Sequence, residues 1–112
     1  MDQATKLDRY RAALKQVLQT HAAMEAEPSN YETVAVCDSK TDDYRLIDTE
    51  ITPEKRQDYL VVQLTLREGK VWVEQDGIEY GIAQDLLEAG IPAEDIVIGI
   101  SHGRPLTLAE AA

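Results

Sequence analysis

Ser101 and His102 place a nucleophile next to a base. A serine is activated when an imidazole lies within hydrogen-bonding reach of its hydroxyl group. Neighbouring side chains on an extended chain point to opposite sides, so these two would meet only where the chain bends sharply. The pattern favours a polar loop after the last strand, and we predict no catalytic residue there.

Two other reactive side chains also favour structural roles. His21 lies three residues after Leu18 on the apolar stripe of a helix, which indicates a histidine at the boundary of the core. No cation adjoins Cys37 in the sequence to stabilise a thiolate, so this residue is predicted to be a buried small apolar side chain.

Two acidic pairs in loops could imitate metal sites, Asp42 with Asp43 and Asp76 with Glu79. They lack both the oxygen spacing of a calcium loop and the histidines of a transition-metal site, and turn formation explains them. The glycines form neither a GxGxxG nor a GxxxxGK pattern. We therefore predict no metal, no nucleotide and no other cofactor.

Trp72 resists a purely structural explanation. It lies on the strand face opposite Val71 and Val73, where it either packs beneath a helix or anchors an interface. Tryptophan and tyrosine are enriched where surfaces become dry on association, and Tyr80 has the same two interpretations. Together with acidic neighbours they form the predicted partner-binding set: Trp72, Glu74, Asp76, Glu79 and Tyr80.

A long amphipathic helix is the first element that positions these residues. Apolar side chains recur at steps of three and four from Leu7 to Met24. We predict that this helix begins near Asp2 or Ala4 and ends before Pro28. Its apolar stripe has to pack on the rest of the chain.

Strands follow the helix. Tyr31–Asp38 is rich in β-branched residues, and a polar loop returns the chain through YRLID. Alternating apolar residues predict a third strand at Asp58–Leu66, and Glu68 with Gly69 turn it into KVWVEQ. These segments predict two hairpins.

A short helix then ends at Gly90, and the apolar run IVIGI predicts a strand covered on both faces. A helix between two strands permits a parallel crossover. The tail after Ser101 is predicted to fray. The fold class is therefore α+β: a long N-terminal helix and one short helix on a mainly antiparallel sheet of about five strands.

Size and charge limit the function classes. The 112 residues predict a single domain over 1–112, and nothing in them resembles a secretion signal or a membrane span. With one cysteine, a reducing cytoplasm is the expected location. The net charge is −10, from 11 Lys and Arg against 21 Asp and Glu, which argues against direct nucleic-acid binding and favours basic partners.

The stretch GKVWVEQDGIEYGIAQDLLEAGIPAEDIVIGI resembles the XisI family, whose members have a GK(I/V)W strand, a short helix opening with GIA and a DIV.G ending. LDRYRAALKQVLQTHA and YRLID are similar to that family's first helix and second strand, so the resemblance covers most of residues 7–100. Thr49 and Glu50 stand where the family usually has Gly-Trp, and GRPLTLAEAA replaces its glycine- and aromatic-rich tail.

The resemblance implies a small accessory protein of cyanobacterial type, a factor that controls excision of the fdxN DNA element during heterocyst development. It also implies a partner, XisH, whose fold looks nuclease-related, and a XisI that is not itself the recombinase. This suits a chain in which the residues indicate no catalysis. Our leading hypothesis is a non-enzymatic module that presents an acidic face to a XisH-like protein.

Three other hypotheses remain. A homodimer could bury Tyr59, Trp72 and Tyr80 against a second copy. A small-molecule binder or enzyme could use His102, Tyr80 and nearby carboxylates at the end of the sheet, and a deep pocket joining these groups would favour it. Basic positions of the first helix could contact DNA, although the net charge opposes this.

Overall fold

α1 spans Gln3–Ala23 and packs on one face of the sheet. The computed structural model describes residues 3–24 and 30–111. Asp2 and Pro28, which limited the helix in the sequence-based prediction, lie outside these ranges. The predicted amphipathic helix is confirmed, because four of the apolar residues at steps of three and four are buried: Tyr10, Leu14, Val17 and Leu18. Met24, predicted to end the apolar stripe, lies after the helix and is 55% exposed.

Four antiparallel strands follow in chain order. They are β1 (Tyr31–Asp38), β2 (Asp43–Ile51), β3 (Arg56–Arg67) and β4 (Lys70–Asp76). β1 has the bounds that the sequence predicted, and both predicted hairpins are present. β3 begins two residues before the predicted Asp58, because its first residues still pair with the end of β2.

The last part of the chain crosses over and adds two strands. α2 (Ala83–Glu88) and a 3₁₀ turn (Ala93–Asp95) lead to β5 (Ile96–Ser101), β6 (Arg104–Thr107) and α3 (Leu108–Ala111). β5 runs parallel to β4, as the intervening helix permits, and the strand order is β1-β2-β3-β4-β5-β6. The α+β class is confirmed, with a mixed sheet of six strands.

The prediction that the tail frays was wrong. His102 and Gly103 have positive φ angles of 53° and 77°, the backbone of a two-residue hairpin turn whose twist matches that of the strands. The turn returns the chain so that β6 pairs antiparallel with β5. Pro105 does not prevent this, because β6 is an edge strand.

One buried cluster lies between the sheet and the helices. It contains Leu14 of α1, Leu86 of α2 and the strand residues Leu64 and Val71, and Leu108 of α3 packs against it. All three helices therefore lie on this side of the sheet. Side chains alternate along a strand, so the opposite side is here called the outer face. It carries Val34 and Val36 of β1 together with Arg45, Gln63, Thr65, Trp72 and Glu74.

Asp95 joins three elements from a nearly buried position, 8% exposed. It accepts a hydrogen bond from the Tyr10 hydroxyl at 2.5 Å and pairs with Lys6 Nζ at 3.1 Å. Lys70 Nζ lies 3.4 Å from its other oxygen. The carboxylate thus fastens the start of β5 to α1 and to the first residue of β4.

The seam between β4 and β5 is short. Only two residue pairs are in register, Val71 with Ile96 and Trp72 with Val97. Lys70 and Asp95 immediately precede the first of these pairs, so their ion pair lies at the end of the seam.

Candidate functional site

The structure separates the five predicted partner-binding residues. Trp72 and Glu74 lie on the outer face of β4, and Asp76 ends that strand. Glu79 and Tyr80 are exposed in the loop before α2, with Tyr80 62% exposed. The five therefore do not form one continuous surface.

Trp72 does not pack beneath a helix. Its side chain points away from the cluster that contains Val71, and the guanidinium carbon of Arg67 lies 4.0 Å from its ring centroid. This is a cation–π contact. Trp72 Nε1 is buried in this arrangement with no hydrogen-bond partner among the described residues. The tryptophan is half-buried by neighbouring strand side chains instead.

Two ion pairs lie on the outer face. Glu74 accepts hydrogen bonds from Thr65 at 2.7 Å and from Arg67 at 3.0 Å. On β2, Arg45 Nη2 lies 2.8 Å from Asp43, and this hydrogen bond outweighs desolvation in lowering the pKa of the Asp43 carboxyl below its ordinary value. In each of these two pairs a guanidinium group lies against a carboxylate.

Asp76 has a structural task. Its carboxylate accepts hydrogen bonds from the backbone N–H groups of Ile78, at 3.0 Å, and Ile82, at 2.8 Å. Ile82 is the N-cap residue immediately before α2, and Gly81 between Ile78 and Ile82 has a φ of 91°, which favours glycine. The carboxylate therefore holds the loop in the bend that leads into α2.

We expect Asp76→Ala to lower the free energy of unfolding by about 1 to 2 kcal/mol, because two backbone donors at the start of a helix lose their acceptor. Urea denaturation followed by circular dichroism would measure this. Glu79→Ala, in the same loop and exposed, should change stability by no more than about 0.5 kcal/mol. Equal effects of the two substitutions would contradict the structural role of Asp76.

Tyr80 meets His21 and Asp85 at the junction of α1 and α2. Its hydroxyl donates to Asp85 Oδ2 at 3.0 Å and lies 3.4 Å from His21 Nε2. His21 Nε2 lies 2.6 Å from the same carboxylate oxygen. Desolvation and the hydrogen bond to Asp85 raise the pKa of Tyr80 above its ordinary value, so the phenol keeps its proton at neutral pH.

A pocket of about 250 Å³ opens beside this cluster. We call it the α1–α2 pocket, and its walls combine apolar side chains with two carboxylates. A neighbouring hollow of about 500 Å³ shares Gln16 and Ala89 with it, so the two form one groove along α1. The pocket is lined by Gln16, Val17, Thr20, His21, Met24, Tyr80, Asp85, Glu88 and Ala89.

The segment of the chain that contains α2 is strongly acidic. Between Lys70 and Arg104 the chain has no lysine or arginine, yet it has seven acidic residues: Glu74, Asp76, Glu79, Asp85, Glu88, Glu94 and Asp95. Two of the seven, Asp85 and Glu88, line the α1–α2 pocket. A cationic group is the ligand chemistry that this pocket favours, since carboxylates and an aromatic ring both attract it.

The predicted alternative site around His102 is not assembled. His102 is exposed at the tip of the β5–β6 turn. The chain does bend sharply there, but no hydrogen bond joins His102 to Ser101 or to Tyr80 among the residues that the structure describes. The histidine that Tyr80 contacts is His21, whose side chain is 8% exposed, so its predicted place at the core boundary is confirmed.

The remaining candidate residues are part of the framework. Cys37 packs against the core, and desolvation raises the pKa of its thiol. Asp42 accepts two hydrogen bonds from Arg11, at 2.9 and 3.2 Å, and one from Tyr44, which ties α1 to the β1–β2 hairpin. Within residues 3–24 and 30–111, no three His, Cys, Asp or Glu side chains are grouped to hold a metal ion. No helix in the same ranges is long and apolar enough to cross a bilayer.

Comparison with known proteins gives one family and several solved structures. A family model described as XisI protein matches residues 1–110. The structure of the fdxN element excision controlling factor XisI from Anabaena variabilis ATCC 29413 is 26% identical, with a TM-score of 0.69, over 87% of this chain and 94% of that chain. No curated protein sequence matches.

A second solved structure, of a XisI-like protein from the same organism, is 24% identical, with a TM-score of 0.73, over 85% of this chain and 87% of that chain. At this identity the similarity concerns the fold alone. It supports the arrangement of helices on one side of a mixed sheet that the structure shows.

Proposed function

This chain belongs to the XisI family, and on that premise we propose that it is a non-enzymatic regulatory protein that binds a XisH-like partner through the α1–α2 pocket. Control of DNA element excision is the setting that its similarity to an excision controlling factor supports. The observation that carries the proposal is the exposed Tyr80 beside two carboxylates in a segment without a lysine or arginine.

The geometry suits an anchor residue. Tyr80 is held by hydrogen bonding to Asp85, so little side-chain freedom is lost when a partner covers its ring. Glu88 is exposed on the last turn of α2 and accepts a hydrogen bond only from its neighbour Gln84 among the described side chains, at 3.1 Å. A lysine or arginine of the partner would meet the ring and both carboxylates at once.

The groove offers further contact area beyond the pocket. It continues along α1 past Ala12 and Ala13 to Gly90, small residues that let another chain approach closely. The two ends of the groove thus differ, with carboxylates and an exposed aromatic ring at the Tyr80 end and small side chains beside Arg9 at the other. Such a combination orients a partner segment as well as attracting it.

Charge reversal tests the site. We expect Glu88→Lys to weaken binding of a XisH-like protein at least about tenfold, because it places like charges together. Glu54→Lys, equally a reversal at an exposed glutamate but in the loop between β2 and β3, should change the affinity less than about twofold. Isothermal titration calorimetry at two salt concentrations would measure both, and the wild-type affinity should fall as salt rises.

Further variants locate the surface. Tyr80→Ala should lose binding, whereas Trp72→Phe on the outer face should retain it. If Trp72→Phe lost binding while Glu88→Lys bound normally, the partner would bind at Trp72 and Glu74 and not at the α1–α2 pocket. Absence of any complex with the wild-type protein at micromolar concentration and low salt would contradict the proposed partner.

A further inference from the structure

The two edges of the sheet differ in a way that the core does not require. β6, at one edge, has four residues, and Pro105 among them lacks a donor. β1, at the other edge, has eight residues in unbroken register with β2. Short strands and prolines protect sheet edges from pairing with other chains, and β1 has neither.

The central part of β1 is also uncharged. From Thr33 to Cys37 the sequence is TVAVC, in a chain whose net charge is −10. Val34 and Val36 are 41% and 46% exposed on the outer face. Charged side chains are the usual protection of an edge strand, so this segment is suited to pairing.

The hydrogen bonds of β1 show which backbone groups point to its open side. Ile51 N–H donates to Asn30 C=O, and hydrogen-bonded pairs recur at every second residue of an antiparallel ladder. The even-numbered residues Val34 and Val36 therefore bond to β2. The N–H and C=O groups of Thr33, Ala35 and Cys37 point to the open side, where the described residues supply no strand.

We propose that two copies of this chain associate by antiparallel pairing of their β1 strands about a two-fold axis at Ala35. In this register each outward backbone group of one copy meets its partner on the other, Thr33 lies opposite Cys37 of the second copy, and the two sheets become continuous.

Side chains along the seam fit this symmetry. Val34 of one copy lies beside Val36 of the other on the outer face, so the exposed valines cover each other twice. On the helix side the opposed residues are small. Like charges meet only at the ends, where Glu32 faces Asp38 of the second copy and solvent screens both. The uncharged segment Thr33–Cys37 of one copy can therefore pair along its whole length with the same segment of a second copy.

Salt gives this dimer a signature that is opposite to that of partner binding. Two chains of net charge −10 repel each other while the seam between them is uncharged, so added salt should strengthen association. Sedimentation equilibrium from low to high salt would measure it. A protein that is monomeric at roughly 1 mM in high salt, or that dissociates as salt rises, would overturn the proposal.

Two substitutions at Thr33 distinguish the contribution of its backbone N–H to dimerisation from that of its side chain. Thr33→Pro removes the outward N–H and should weaken the dimer at least about tenfold, whereas Thr33→Val removes only the hydroxyl, which bonds to Asp48, and should leave it within about threefold. Circular dichroism would show whether each variant is folded. Equal association of the two folded variants would overturn the pairing.

A cross-link tests the register without weakening the dimer. Thr33→Cys should form a disulfide with Cys37 of the second copy on mild oxidation, because opposed residues of a hydrogen-bonded pair lie about 5.5 Å apart at Cα. Thr65→Cys on the outer face should not. Equal cross-linking of both would overturn the register, and none of these variants alters the α1–α2 pocket, so this proposal and the proposed function fail separately.

Discussion

We expect Asp95→Ala to lower the free energy of unfolding by about 2 to 4 kcal/mol, the largest electrostatic effect that the structure indicates. The substitution leaves the Tyr10 hydroxyl and the ammonium groups of Lys6 and Lys70 without their shared acceptor. The loss comes mainly from the buried Tyr10 hydroxyl, which is left without an acceptor, because the lysine side chains are 30% and 40% exposed and water can solvate them. Urea denaturation at pH 7 would measure the loss.

The contribution of the Asp95 carboxylate to stability should also depend on pH. Desolvation alone would raise the pKa of Asp95, but hydrogen bonds from Tyr10 and Lys6 outweigh it and hold the pKa below its ordinary value. A carboxyl whose folded pKa is depressed stabilises the protein above its unfolded pKa, about 3.9, and this contribution is lost as pH falls through the folded value. Wild-type stability should therefore decrease below about pH 4 more steeply than that of Asp95→Ala.

Two controls isolate the buried carboxylate. Glu94→Ala removes an exposed acid at the adjacent position and should cost less than about 0.5 kcal/mol. Tyr10→Phe removes one hydrogen bond and should cost about 1 to 2 kcal/mol. If Asp95→Ala were no more destabilising than Glu94→Ala, Asp95 would not join α1 to the sheet.

Leu14→Ala should be about as destabilising, with a loss of roughly 3 to 5 kcal/mol. Leu14 is 0% exposed at the centre of the helix face of the core, where it packs in the same cluster as Leu64 and Leu86. Alanine is the best helix former, so the helix itself should not weaken and the loss reports the cavity. Thermal and urea unfolding would both measure it.

Gln16→Ala is the matched control for the core. It also places alanine in α1, on the exposed side two residues away, and should change stability by less than about 0.5 kcal/mol. A loss below about 1 kcal/mol for Leu14→Ala would show that α1 does not hold the sheet as the structure indicates.

Local patterns predicted most of the fold because they report local geometry. The alternation of Val62, Leu64 and Leu66 predicted which side of β3 is buried, and all three are less than 9% exposed. Leu60 was predicted on the same face, but a register shift between β2 and β3 interrupts the alternation there, and Val61 packs against the core instead. β6 was missed because Pro105 was used only to limit a helix to the last few residues, and the rest of the tail was expected to fray. The signal that could have found this strand was Gly103 in the second position of a two-residue turn.

The candidate site was harder to predict because its parts are distant in sequence. Tyr80 was selected as an aromatic residue near acids, yet nothing local indicated that His21, 59 positions away, would lie 3.4 Å from its hydroxyl. That contact arises from the packing of α2 against α1. Conversely, Asp76 was selected for its charge, while the structure uses it to cap a loop.

The short parallel seam between β4 and β5 makes the Lys70–Asp95 ion pair a marker of alignment. Two residue pairs alone would not fix the register of β5 against β4. A shift of β5 by one residue would place the Val97 side chain in the core on the helix side of the sheet and the Ile96 side chain on the outer face. Such a misaligned chain would also separate Asp95 from Tyr10. The buried carboxylate therefore selects one alignment of the crossover and discriminates against its nearest competitor.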